Sequence, residues 1–274
     1  MGHPTEISQI LERQHAWAAR ANLEVDAQGR VARLEDNLYQ PLHPDTRAEY
    51  DRAAGNELAG DMRSVRSSAA LVCNFFDPWR GRDAGALGTA CAGDPRASSV
   101  AFERTFPTGL RGTPPHLDVV LEGSPTGPVA IESKFTEPYG PSHNAFRASY
   151  FGKPEIWRGL ANCESIARRI AAGDLRFERL GAAQLLKHTL GLARAHGPKG
   201  FELLYLWFEV PGEAAARHAS EIAAFAGEIG EEIRFRALTY QELVGRLGAT
   251  GAADPEHLAY LADRYGFEAR RRRL

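Results

Sequence analysis

Residues Ile7, Ile10, Leu11, Gln14 and Ala18 fall at three- and four-residue spacings behind Thr5, so an amphipathic helix is predicted over residues 5–21. Gly29, Pro41 and Pro44 make residues 22–45 read as irregular, and a second helix is predicted from about Pro44 to Ala59, stopped near Gly60. The apolar run Ala69–Phe76, ended by Asp77-Pro78, fits either a buried strand or a turn of core helix, since periodicity alone does not separate them. Residues 80–98, rich in Gly, Ala, Asp and Arg, read as a loop. From Ser98 the period changes to two. Ser99–Phe106, Leu117–Leu121 and Val129–Phe135 alternate and are separated by Gly, Pro, Ser and Thr clusters, which predicts three strands. After an aromatic-rich stretch without a clear period, helical spacing returns at Leu180–Ala195. A buried strand (Phe201–Val210), a helix (about 213–228), a strand (Ile233–Leu238) and one or two closing helices follow. This order predicts an α/β fold: a central mixed sheet flanked by helices, preceded by a helical N-terminal segment.

Composition narrows the class without deciding the function. The 274 residues are 43% hydrophobic and 25% charged, an ordinary globular mixture. Thirty-three Lys and Arg against thirty-five Asp and Glu leave a net charge of -2, which excludes coating nucleic acid by bulk charge but permits a local basic groove. The absence of a membrane-length apolar run, and an N-terminus without a charged region followed by a hydrophobic one, predict a cytoplasmic protein with no membrane partner. Cys73, Cys91 and Cys163 are too far apart for a CxxC metal site and read as reduced, buried thiols.

The chemistry concentrates in Pro114-Pro115-His116-Leu117-Asp118-Val119-Val120-Leu121, a Gly/Ser/Pro/Thr turn, and Val129-Ala130-Ile131-Glu132-Ser133-Lys134-Phe135. The turn predicts an antiparallel hairpin. With side chains alternating, His116 and Asp118 share one face of the first strand, and Glu132 and Lys134 share one face of the second. Folding the hairpin about residue 125 sets Asp118 across from Glu132. Like charges so placed repel, and a divalent cation between them reverses the sign. Lys134 then stands where it can orient or help deprotonate an attacking water. Slipping the pairing by two residues would instead set Asp118 across from Lys134 as a plain ion pair on a solvated face.

The passage resembles the catalytic core of the PD-(D/E)XK nuclease superfamily, which includes restriction endonucleases, recombination exonucleases and junction resolvases; the whole-chain texture resembles a bacterial restriction-like branch. The likeness spans roughly residues 50–210, its specific part is the hairpin, and His116-Leu117-Asp118 replaces the nominal Pro-Asp pair. It implies an αβββαβ core, a nuclease-like domain over residues 61–274 with a helical segment (1–60) packed on it, and Mg2+-dependent hydrolysis of DNA. By that resemblance Asp118 and Glu132 bind Mg2+, with Mn2+ able to substitute, and Lys134 is the catalytic lysine. Glu57, placed on the helix before the sheet, is a supporting metal ligand, with Glu103 competing for that role. Gln184, on the helix after Glu132-Ser133-Lys134, joins the catalytic set.

His188, four residues after Gln184 on the same helical face, reads as a helix-surface histidine with at most an indirect role. Ala182, Leu186, Leu190 and Ala193 are expected to pack inward. Tyr139, Tyr150, Phe151 and Trp157, interleaved with His143, Arg147, Lys153 and Arg158, fit a hydrophobic mini-core better than a DNA-contacting surface. The basic run Arg270–Arg273 reads as a solvated tail, and a homodimer is compatible with the sequence. Two rival readings are a binding or assembly module that keeps the fold without cleaving, and a metal-free two-carboxylate hydrolase. The ammonium beside Glu132 argues against the second, because it spoils a general acid.

Overall fold

The computed structural model describes residues 5–53, 57, 58 and 60–266; Arg270–Arg273 lies outside them. Helix α1 (Glu6–Arg20) opens with the Ser8 amide donating to the Thr5 hydroxyl and buries Ile10, Gln14, Trp17 and Ala18. Helix α2 (Pro44–Arg52) starts on its proline but ends at Arg52, short of the predicted Ala59, so Glu57 sits in a turn and not on a helix. The open segment becomes helix α3 (Ser68–Phe76), capped by Ser67 and buried from Ala70 through Phe76. A helix buried on every side shows no amphipathic period, which is why the pattern left it undecided.

The loop predicted over residues 80–98 is corrected by helix α4 (Gly85–Ala92). Its glycines allow close approach: a Cβ on Gly85 would collide with the Pro95 carbonyl, and one on Gly88 with the Asp94 carbonyl. Propensity disfavours a helix there, and tertiary packing overrides it.

Strands β1 (Ser99–Thr105), β2 (His116–Glu122), β3 (Val129–Lys134), β4 (Glu202–Trp207) and β5 (Arg234–Thr239) form one sheet in chain order. The β1–β2 and β2–β3 pairs are antiparallel, and the β3–β4 and β4–β5 pairs are parallel. Parallel neighbours need crossovers. The first carries helices α5 (Ala161–Ala172) and α6 (Ala182–His196), and the second carries α7 (Glu213–Ile229). Alternation along β3 divides the two sides of the sheet. Ser133 meets the Tyr240 hydroxyl at the start of α8 (Tyr240–Thr250), and Phe135 packs on Tyr265 at the end of α9 (Pro255–Tyr265). Glu132 points the other way, toward α6. The α6 residues Ala182, Leu186 and Leu190 are buried as expected, and Ala193 is partly so.

The sheet edge at β1 is covered by α2. The Phe102 amide donates to Glu49 Oε2 at 3.1 Å, and Arg80 grips the same carboxylate at 2.6 and 2.9 Å. At the other extreme of the chain, α1 packs on α9 and Gln14 exchanges hydrogen bonds with Arg264. One core cluster runs from Ile10 to Tyr265. All three cysteines are free and buried, and burial pushes each thiol well above its ordinary range. Among the described residues no helix is long and apolar enough to cross a membrane.

Candidate active site

The register decides the arrangement. Val119 pairs with Ile131, Val120 with Ala130 and Leu121 with Val129, and one further step sets Asp118 opposite Glu132. The slipped alternative with Asp118 opposite Lys134 does not form. On the other side of β2, Phe102 pairs with Val119 and Arg104 with Leu117, which leaves Glu103 level with Asp118. Three carboxylates therefore stand in a row across β1, β2 and β3. The last of them, Glu132, is level with Tyr205 on β4.

Each carboxylate is held differently. Asp118 is partly buried, and its Oδ2 accepts the Ser133 amide at 2.6 Å. Burial first, then the Glu132 charge, push its pKa well up, while Lys134 and the Ser133 amide oppose them. Glu132 is 2% exposed; burial raises its pKa, and the charges of Lys134 and His188 pull it below the ordinary carboxylate range. Lys134 donates to Glu132 Oε1, and although burial disfavours its charge, Glu132 and Asp118 keep it firmly ammonium.

Glu103 stands in the left-handed region with φ of 50°, which is uncommon for a residue with a side chain. His116 Nδ1 lies 3.6 Å from its carboxylate. Burial, then Glu57 and Glu132, push the Glu103 carboxyl up to about 7. Glu57 is half-buried, and burial with the Asp61 and Glu137 charges raises its pKa too. Glu57 acts electrically on Glu103, whereas the charges that act on Asp118 are those of Glu132, Lys134 and Glu103. Of the two competing acids, the structure brings Glu103 beside the Asp118–Glu132 pair.

His188 departs most from the sequence reading. It is 2% exposed, and its Nε2 lies 2.9 Å from Glu132 Oε2. That contact pairs Nε2 directly with the carboxylate, and the other ring nitrogen, Nδ1, is buried without a hydrogen-bond partner. The signal was present as the buried stripe Leu185, His188, Thr189 and Leu192, at helical spacing. A histidine inside such a stripe faces the sheet. Gln184 lies one turn earlier on the same face and is exposed.

Two cavities of about 310 and 600 Å³ lie elsewhere. One is at the start of β3–β5, lined by Arg96, Glu202 and Arg234; the other, beside the α6 N-terminus, is lined by Asn144, Phe177 and Arg179. The carboxylate row belongs to neither and is packed between sheet and helix. Phe146, Tyr150, Phe151 and Trp157 form a mini-core with ring centroids 5.3–6.4 Å apart, roofed by Arg168 and Lys187. Tyr139 stands apart from them, its hydroxyl bridging the Phe208 carbonyl and the Val210 amide.

The raised Glu103 carboxyl makes stability pH-dependent in a defined direction. A folded-state pKa above the ordinary 4.5 favours the neutral form, so that contribution is intact below about 4.5 and is lost as pH rises through about 7. Glu103→Gln is expected to stabilise the protein by about 1–3 kcal/mol at pH 8 and by almost nothing near pH 4.5. Denaturant midpoints at the two pH values read this directly, and an equal gain at both would exclude the carboxylate as its source.

A mixed five-stranded sheet flanked by helices, with an acidic row and a lysine where the strands of a hairpin meet, defines a restriction-endonuclease-like α/β protein. The chain belongs to the family described as "Restriction Endonuclease associating with ARP", whose model matches residues 12–266. No match was found among curated proteins or among solved structures.

Proposed function

We infer that the protein is a metal-dependent nuclease hydrolysing DNA phosphodiester bonds at Asp118, Glu132 and Lys134. The observation that carries this reading is the register that sets Asp118 opposite Glu132, with Lys134 bound to one Glu132 oxygen and His188 Nε2 2.9 Å from the other. Family membership supports the class of reaction. The donor type suits a hard divalent cation such as Mg2+ or Mn2+: two carboxylates on neighbouring strands whose mutual repulsion a cation would relieve. Asp118 and Glu132 Oε2 would hold it, with Glu103 a nearer supporting acid than Glu57.

Such a cation, when bound, supplies Lewis-acid polarisation of the phosphate and acidifies the attacking water. The residues of the chain do the rest. Lys134, fixed against Glu132 Oε1, is placed to orient the water and to stabilise charge developing on the phosphate. The Ser133 amide fixes the Asp118 carboxylate. Gln184, exposed one turn before His188 on α6, would touch substrate rather than metal.

One observation favours the rival, a binding module that keeps the fold without cleaving. Among the described residues no group of three or more His, Cys, Asp and Glu is assembled to hold a metal ion. Offering single-stranded, double-stranded and branched DNA, and RNA, with Mg2+, Mn2+, Ca2+ or chelator decides between the two. Cleavage of DNA with Mg2+ or Mn2+, little with Ca2+, none with chelator, and products bearing 5′-phosphates are expected. DNA binding without cleavage under every ion would establish the rival.

A further inference from the structure

Residues 141–160, between β3 and α5, carry His143, Arg147, Lys153 and Arg158 against one acid, Glu155, in a chain whose net charge is -2. Asn144 ties this segment to the start of α6. Its Nδ2 donates to the Phe177 and Leu180 carbonyls at 3.0 and 2.9 Å, and its Oδ1 accepts the Ala183 amide at 2.8 Å. Trp157 Nε1 donates to the Tyr150 carbonyl at 2.8 Å, closing the segment over its aromatic mini-core.

Lys187 of α6 lies over two of those rings, its Nζ 5.3 Å from the Phe146 centroid and 5.8 Å from that of Tyr150. Arg147 is exposed and close enough for its charge to act on both Lys187 and the Tyr150 hydroxyl. Burial first, then Arg147, disfavour the Lys187 ammonium and lower its pKa. The neighbouring Arg168, over the Phe151 ring, has the Glu164 carboxylate at 2.6 Å. Among the described residues neither Arg147 nor Lys187 enters an ion pair. Two like charges held together on a packed base, without a carboxylate of the protein's own, are relieved by an anion from outside.

Helix α6 sets this pair beside the acidic row. His188 meets Glu132; at 3.6 residues per turn Gln184 lies about 40° round the helix from it, and Lys187 about 60° further. The helix surface thus passes from the buried row through exposed Gln184 to Lys187. We propose that Arg147 and Lys187 together bind a backbone phosphate of the DNA strand, holding it along the outer side of α6 next to the acidic row. The proposal rests on the nuclease reading above for the identity of the anion, and on the geometry of the pair for its place. The arginine supplies a planar fork and the lysine a point charge, and a phosphodiester accepts both.

The test reads binding without turnover. A fluorescein-labelled DNA duplex and its labelled single strand are titrated with the full-length protein in chelator over a range of salt. The proteins are wild type, Arg147→Gln, Lys187→Gln, the double variant and Lys199→Gln, which removes an exposed charge just beyond the other end of α6. Affinity is expected to fall at least about tenfold in the double variant, and the slope of log affinity against log salt to become shallower by about 1–2. Lys199→Gln should change neither. Because Arg147 is exposed, Arg147→Gln tests the site even where Lys187→Gln loosens α6.

A double variant with the wild-type slope, or a loss matched by Lys199→Gln, overturns the site and leaves the nuclease reading standing. Wild type that binds DNA through this pair but cuts nothing with any ion supports the site and removes the nuclease reading. Wild type that binds neither form of DNA removes both.

Discussion

Glu132→Gln is expected to lower DNA cleavage by about 10³-fold or more and, separately, to destabilise the fold. The first effect follows from its place in the acidic row with Lys134, where residues acting as a unit are lost together. The second follows from burial. Lys134 is 15% exposed, and its ammonium is held by the Glu132 carboxylate. Without that carboxylate the ammonium loses its direct partner and keeps only the more weakly acting Asp118 and Glu137 charges, at a cost of about 3 kcal/mol. Lys134→Met removes the other partner and should also lose rate, while Asp118 keeps its hydrogen bond to Ser133.

The double variant Glu132→Gln/Lys134→Met separates the two roles. Removing both charges of a buried pair is often neutral, so stability should return to within about 1–2 kcal/mol of wild type while activity stays absent. Denaturation midpoints and single-turnover cleavage of the three variants form the cycle. A double variant that cleaves would show that any activity resides elsewhere. Two destabilisations that simply add would show that Glu132 and Lys134 are not a coupled pair.

What the sequence revealed about this site depended on the kind of pattern involved. Strand alternation is local, so the hairpin, its faces and the meeting of Asp118 with Glu132 could be read from residues 114–135 alone. Glu103 joins them through the register of a third strand and a left-handed backbone, and neither leaves a mark in a two-residue period. His188 was misplaced because α6 is buried on nearly all sides, which flattens the contrast that separates an inner face from an outer one. Helix α4 was read as loop for a related reason: Gly85 and Gly88 are poor helix formers, kept because neighbouring backbone comes too close for a side chain. The short α2 leaves Glu57 in a turn beyond the helix expected to carry it, because the pattern placed the stop near Gly60.

Arg264→Ala should be the most damaging substitution away from the acidic row, costing about 3–5 kcal/mol out of the 5–15 kcal/mol typical of a folded domain. Arg264 is 1% exposed, and no carboxylate pairs with it among the described salt bridges. Its charge is spread over neutral acceptors instead. Nη1 donates to the Asn37 carbonyl at 2.7 Å and to the Tyr260 hydroxyl at 2.8 Å. Nη2 donates to Asn37 Oδ1 at 2.5 Å, and Nε donates to Gln14 Oε1 at 3.1 Å. The guanidinium also lies 4.0 Å from the Trp17 ring centroid. Truncation leaves those acceptors unpaired in the interior and opens a cavity between α1 and α9. Lysine should not rescue it, because a single ammonium cannot reproduce the planar fork. The damage should reach the sheet: Tyr265, the next residue, packs edge-on against Phe135, which directly follows Lys134. Urea midpoints for wild type, Arg264→Ala and Arg264→Lys, with hydrogen exchange followed on α1, test this. Loss of protection in α1 before the sheet opens is expected for both variants. A midpoint shift worth less than about 1 kcal/mol for alanine would mean that the apolar packing of α1 on α9, and not the buried arginine, joins the two ends of the chain.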